Sequence, residues 1–314
     1  MSESEFISHA FTPGWIHRPE IIGETASRRK TYSEVGPTGD ARGNRLFCAD
    51  FESDLSVFGT VQPPWQQIIG SCVGYGTARA IMGLMVDRIA SGRADRWEAP
   101  PSPAAIYGGA RVNIGHNELG RGDGAVVAWA VEWATKCVLL QVAYRGVNLA
   151  RDLGVDAVAK DWGVRGVPSY LETAGDFLRV GATTQIDSPE SLCNALWNRH
   201  WVTGGSDTIH SSQRDRWGQC RPASRGGHCQ NRCGIYLDQD GDTAILLRQS
   251  WGPSIPGGSS LITLKDGTTR EMPAGVYGVK LEHEARALND SGDFWALDMS
   301  GGWTPEKLDF GKAV

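Results

Sequence analysis

Cys72 follows Gly70-Ser71 and opens a stretch to Ala90 in which Ala78, Ile81, Met82, Met85 and Ile89 recur at three- and four-residue spacing. That spacing predicts a helix with the cysteine in its first turn. Unpaired backbone N–H groups and the helix macrodipole favour an anion there, so the thiol is expected to titrate low and to act as a thiolate nucleophile. Gln66 stands six residues upstream. Folded back across the turn, its side-chain amide and the Cys72 backbone N–H would form a two-donor site for an oxyanion. A second group comes late in the chain, where Gly226-Gly227-His228 leads into an expected β-hairpin and Gln249-Ser250-Trp251-Gly252 follows it. A histidine entering one strand and an amide leaving the other can lie side by side. The Gln249 oxygen is then expected to accept from the imidazole, with Trp251 covering the bond. A thiol, a base, an orienting amide and an oxyanion site are the parts of acyl transfer through a thioester. Taken singly each residue has a plainer reading: Cys72 as a small buried hydrophobe, His228 as a structural histidine, Gln66 as a loop residue.

The elements that must position these groups change character along the chain. Residues 1 to about 45 mix Gly, Pro, Arg and Ser without a helical or strand period, and read as an extended arm. Helices are expected at Cys72 to Ala90, from about Ala125 to Lys136, and from Ser188, where Ser-Pro-Glu-Ser puts proline in the first turn. Strands are expected at 234–237 and 243–247 around a turn centred on Asp240-Gly241, and again at 260–264 and 275–281. From about residue 290 the pattern is lost, and residues 291–314 read as a tail. Helices first and strands later is an α+β order with two lobes, helical over about 66–190 and β-rich over about 191–290.

Read together, the motifs resemble the papain-like cysteine peptidase family, of which the chain looks like a divergent member. Gln66 with Gly70-Ser71-Cys72 is similar to that family's Q-x-x-x-G-S-C-W segment, His228 to its histidine, and Gln249-Ser250-Trp251-Gly252 to its N-S-W-G. Weaker similarity at Asp123-Gly124 to Ala130 and at Ser188 to Leu196 extends the resemblance over about residues 46–265, in the family's chain order. It implies a helical left lobe, a β-barrel-like right lobe and a site in the cleft between them. Cys72 would be the nucleophile, His228 the general base and then acid, Gln249 the orienting group and Gln66 an oxyanion donor. Asp123, Gly124, Gly227 and Trp251 would line an extended peptide or protein substrate. The departures are Gln249 for Asn (one methylene longer), Val73 for an aromatic residue, Asp123 for a cleft glycine and Ile69 for a disulfide cysteine. The arm also lacks a long amphipathic helix like the family's inhibitory pro-segment.

Composition narrows the alternatives. The 314 residues are 40% hydrophobic and 21% charged with a formal net charge of -5, which argues against a nucleic-acid partner. No apolar run reaches 18 residues and no signal-peptide pattern opens the chain, so neither a membrane span nor secretion is expected. The expected location is the cytoplasm or a particle such as a virion. Seven cysteines are an odd set, and Cys220, Cys229 and Cys233 cluster near His228 and His210 without a C-x2-C knuckle. No metal and no cofactor is expected. Asp238-Gln239-Asp240-Gly241-Asp242 lacks the distal Glu of a calcium loop and reads as an acidic turn. A second function class keeps the fold but makes the chain an assembly component of a bacterial or phage particle, its arm and tail gripping neighbours, with weak, cell-wall-directed or no peptidase activity. A third, a transglutaminase or amidase fold, suits the Ser-Trp-Gly and the upstream glutamine poorly.

Overall fold

The long helix expected after Ser71 is the centre of the molecule. In a computed structural model that describes residues 14–36, 48–93, 97–151, 156–175 and 178–298, it runs Cys72–Ala90 and is buried from Cys72 through Asp87. A helix buried on all sides must be wrapped by other elements. In chain order the helices are α1 (Pro19–Ser27), α2 (Tyr32–Val35), α3 (Ala49–Phe58), α4 (Cys72–Ala90), α5 (Pro103–Gly108), α6 (Val127–Ala134), α7 (Ala157–Arg165), α8 (Ser169–Gly175), α9 (Pro189–Trp197) and α10 (Leu281–Ser291). A π-helical turn, Gly109–Ile114, continues α5. Six antiparallel strands, β1 (Ala182–Gln185), β2 (Trp201–His210), β3 (Pro222–Leu237), β4 (Thr243–Arg248), β5 (Val276–Lys280) and β6 (Asp293–Asp298), form one sheet in the order β5-β4-β3-β2-β6-β1. Its end strands are not paired to each other among the described residues.

Both faces of the sheet are covered. Trp201, Cys229, Trp295 and Leu297 pack with α4 and the helical lobe, while Val202, Ile235, Ile245 and Phe294 pack against α9 and α10. The packing of α4 on β3 is close, because a Cβ at Gly76 would lie 2.8 Å from the Cys229 sulfur. Glycine inside a helix costs about 1 kcal/mol relative to alanine, and here it lets helix and strand meet beside Cys72. The cysteines are all free and buried. No helix is long and apolar enough to cross a membrane among the described residues.

The expected helices at Cys72 and Ser188 form where their start signals place them, and the Ser188 hydroxyl caps α9 by accepting the Ser191 N–H at 3.0 Å. Two expectations fail. The arm is not wholly extended, because Pro19 starts α1, which buries Ile21, Ile22 and Thr25 against the helical lobe. That apolar stripe is one turn long, too short to show a period. The start of the supposed tail is also part of the core, since Asp293 through Leu297 are buried in β6, between β2 and β1. A strand buried on both faces has no alternation to reveal it. Residues 1–13, 37–47 and 299–314 lie outside the described residues, and with them the rest of the expected arm and tail.

Candidate active site

Cys72 begins α4 with no exposed surface. The turn before it is held by a residue the sequence did not flag. Asp156, at the N-cap of α7, accepts the backbone N–H groups of Ile68 and Ile69 (2.9 Å for the latter) and the Tyr75 hydroxyl at 3.1 Å. One buried carboxylate thus ties the turn to the first turn of α4. Charge-assisted bonds of this kind contribute about 1.5–3 kcal/mol each. Asp156→Ala is expected to cost about 3 kcal/mol in denaturant unfolding, and Tyr75→Phe, which removes a single bond, about 1 kcal/mol. An unchanged midpoint for Asp156→Ala would show that the turn stands without it.

The sulfur of Cys72 accepts the Cys229 backbone N–H at 3.3 Å, and the amides of Gly14 and Val73 also bear on it. The lowered thiol pKa expected at a helix start is not found. Burial pushes the thiol well above its ordinary value, and the neighbouring Cys229 adds to the rise. The helix-start amides and dipole favour the anion, but loss of water around a fully enclosed sulfur outweighs them.

His228 lies in β3, opposite Ser206 of β2, and is 2% exposed. Its ring stacks on Trp251 with centroids 3.8 Å apart and planes 14° from parallel. Neither ring nitrogen has a hydrogen-bond partner among the described residues. Burial pushes the imidazole down to about 3, helped by His210 and Arg232. The expected Gln249–imidazole bond is not formed. The Gln249 amide instead donates to the Gly252 carbonyl at 3.1 Å and to that of Ile255, while its oxygen accepts the Trp251 N–H. The extra methylene lets the amide curl back onto its own loop. Gln66 pairs with Trp251 through the main chain, and its exposed side chain lies beside Gly252.

On the helical side, Asp123 accepts the Gly70 N–H at 3.3 Å, so the cleft wall is joined to the turn before the cysteine. Gly124, with φ of +104°, donates its N–H to the Tyr107 hydroxyl at 3.1 Å and accepts from Arg111 through its carbonyl. The buried Arg111 guanidinium also binds the carbonyls of Gly120 at 2.8 Å and Gly163 at 2.9 Å. This leaves the main chain of the next residue, Ala125, as the pairing edge of the wall.

The arm occupies that edge. Ala125 donates to the Gly14 carbonyl at 2.8 Å and accepts the Ile16 N–H at 3.0 Å. From the β lobe, the Gly227 carbonyl accepts the N–H groups of Gly14 at 2.9 Å and Trp15 at 3.2 Å. Three consecutive arm residues therefore bridge the two lobes across Cys72, with Trp15 4% exposed. A Cβ at Gly14 would overlap the Gly70 carbonyl, and one at Gly227 would overlap that of Trp15. Asp156 and Trp15 carried no signal in the sequence beyond a Gly-Trp pair in an aperiodic stretch, and Ala125 was read only as a helix start beside the cleft glycine.

No protein-family model and no curated protein matches the sequence. Solved structures do match. Xylellain, a cysteine protease from Xylella fastidiosa, superposes with a TM-score of 0.53 at 15% identity, over 92% of this chain and 91% of that one. Procathepsin L 3 from the larval midgut of Tenebrio molitor gives 0.54 at 13% identity, over 95% and 79%. The fold is papain-like. The ragweed pollen cysteine protease Amb a 11 in its proform agrees, with a TM-score of 0.51 at 16% identity over 96% and 77%. In this papain-like frame Cys72 heads the central helix of one lobe and His228 stands in the sheet of the other, as the motifs implied.

Proposed function

We propose that the chain is a cysteine peptidase that rests with its own arm in the cleft. One observation carries this reading. The cleft holds an extended peptide main chain, bonded from both walls, across a cysteine at a helix N-terminus. The proform among the similar structures supports a resting state of this kind.

With the arm withdrawn, water regains the sulfur and the imidazole, the desolvation that raises the thiol and lowers the histidine is relieved, and a protonated imidazole close to the sulfur would then hold the thiol below its ordinary value. His228 then takes the Cys72 proton, and the sulfur attacks the scissile carbonyl carbon. The Cys72 backbone N–H and the Gln66 amide, swung from Gly252, hold the oxyanion. As the C–N bond breaks, His228 returns the proton to the leaving amine. Water, deprotonated by His228, then attacks the thioester, and the C–S bond breaks to regenerate the thiol. Trp251 fixes the imidazole plane by stacking, and Gln249 acts by holding the loop that carries Trp251.

The test is alkylation of Cys72 between pH 6 and 9 alongside peptide hydrolysis. In the closed chain the raised thiol is protonated across this range, so labelling is slow and climbs about tenfold per pH unit. With the arm displaced, labelling should persist at pH 6, hydrolysis should appear, and Cys72→Ala and His228→Ala should each abolish turnover. Persistent inertness of the arm-displaced chain would instead favour the second reading, a papain-like component of an assembly without peptidase activity.

A further inference from the structure

Cys229 follows His228 in β3, and its main chain touches Cys72 while its thiol is held elsewhere. The Cys229 N–H donates to the Cys72 sulfur at 3.3 Å. One N–Cα bond separates that nitrogen from the Cys229 Cα, so the two Cα atoms stand no more than about 7.5 Å apart. The bends of a hydrogen-bonded contact bring them within the roughly 4.4–6.8 Å that a disulfide spans. The Cys229 sulfur is turned along α4 instead, against Gly76 and 3.4 Å from the Thr203 hydroxyl, which meets the Thr77 hydroxyl at 3.2 Å. Gly76 lies four residues after Cys72 and so on the same helix face. Rotation about the Cys229 Cα–Cβ bond carries its sulfur from Gly76 toward Cys72.

We propose that Cys229 is the resolving cysteine for Cys72: when the open site meets a hydroperoxide, the two sulfurs close a reversible disulfide that blocks the nucleophile. The inference rests on the resting-state reading for the opening of the site, and holds whether or not the open site hydrolyses peptides. The Cys72 thiolate attacks one oxygen of hydrogen peroxide, the O–O bond breaks, and the sulfur becomes a sulfenic acid. The hydroxide that leaves takes up the proton that Cys72 gave to His228. The Cys229 sulfur then attacks the Cys72 sulfur, the S–O bond breaks, and the Cys229 proton departs with the hydroxyl as water. In sum, two thiols are oxidised to one disulfide and peroxide is reduced to two waters. Without a second thiol, a sulfenic acid goes on to the irreversible sulfinic acid, so Cys229 keeps the modification recoverable. With the arm in place both sulfurs are fully enclosed, and burial pushes the Cys229 thiol up to about 12 as it raises that of Cys72. The closed chain is therefore slow to react, and the disulfide belongs to the open one.

The experiment uses the full chain carrying Gly14→Ala and Trp15→Ala, the second of which removes the indole whose N–H the buried Asp293 carboxylate accepts at 3.1 Å. This chain, with and without Cys229→Ala, is treated with hydrogen peroxide at pH 7 and read by intact and peptide mass spectrometry. With Cys229 present, the expected result is loss of two hydrogens, a linked Cys72–Cys229 peptide, and alkylation of Cys72 slowed at least about tenfold until dithiothreitol restores it. With Cys229→Ala, the same treatment is expected to add oxygen to Cys72 and to cause a loss of alkylation that dithiothreitol does not reverse. Cys229→Ser, which keeps the size of the side chain, repeats the comparison should alanine disturb the packing. Added oxygen at Cys72 in both chains, or a disulfide to any other cysteine, overturns the proposal. Alkylation before peroxide separates the two readings. A chain whose Cys72 labels readily yet forms no disulfide keeps the open site and removes the resolving role, whereas one inert to both reagents removes both.

Discussion

Gly14→Ala is expected to speed the alkylation of Cys72 in the full chain by at least about tenfold at pH 7. The added methyl group would overlap the carbonyl oxygen of Gly70, which is main chain in the turn fixed by Asp156 and Asp123. Neither partner can yield by rotating a side chain, so the arm must lift. Each 1.4 kcal/mol of overlap is a factor of ten in the closed population, and the bonds from Ala125 and Gly227 oppose the release. Gly227→Ala approaches the same contact from the β lobe, since its methyl group would overlap the Trp15 carbonyl. Gly23→Ala is the control. It lies exposed in α1 with open space around it and should leave the rate unchanged. Equal rates in Gly14→Ala and the parent chain would mean that the arm does not bar the sulfur, and the resting-state reading would fall.

The largest loss of stability is expected from Glu284→Leu. Glu284 projects from α10 with no exposed surface and accepts the Arg232 Nε–H at 2.8 Å, with His210 Nε2 at 3.8 Å on its other oxygen. The Arg232 guanidinium also binds the Gly204 carbonyl at 2.6 Å and lies over the Phe294 ring at 3.9 Å. Removing the carboxylate leaves a buried cation uncompensated between sheet and helix. Breaking such a pair costs about 3–5 kcal/mol, on the order of 10 °C in melting temperature for a chain of this size. The double variant Arg232→Met with Glu284→Leu should recover much of that loss, because it removes both charges together. A single variant that melts within about 1 °C of the parent would show that the pair is not holding α10 to the sheet.

The candidate catalytic residues were easier to read than the parts that arrange them. Cys72 could be placed because a glycine-serine turn and a helical period meet there, and His228 and Trp251 because a hairpin with its own turn signal separates them. That His228 and Trp251 come together followed from that hairpin, although Trp251 stacks on the ring itself rather than covering a His228–Gln249 bond. The Gln249 contact did not, because one methylene decides whether an amide reaches across a ladder or folds onto its own loop. The thiol's titration was misjudged for a related reason. A helix start is a local property, whereas desolvation of Cys72 depends on residues 14–16 and 229, far away in sequence. Asp156 and Asp293 were invisible for the same cause, and Ala125 showed itself only as a helix start. An acid or an alanine in an ordinary context becomes part of a site only when the lobes close on it. β6 went unread because a short strand buried on both faces has no period.

Asp293 and Trp15, which meet across the cleft, lie 278 residues apart in the chain. During synthesis the first of them waits for almost the whole body of the protein to appear. Until β6 enters between β2 and β1, the sheet lacks an inner strand and the Trp15 indole lacks its acceptor, so a partly made chain has a cysteine and a histidine but no finished groove. On the proposed reading, the strand that completes the sheet also supplies the carboxylate that accepts the indole of the arm's Trp15.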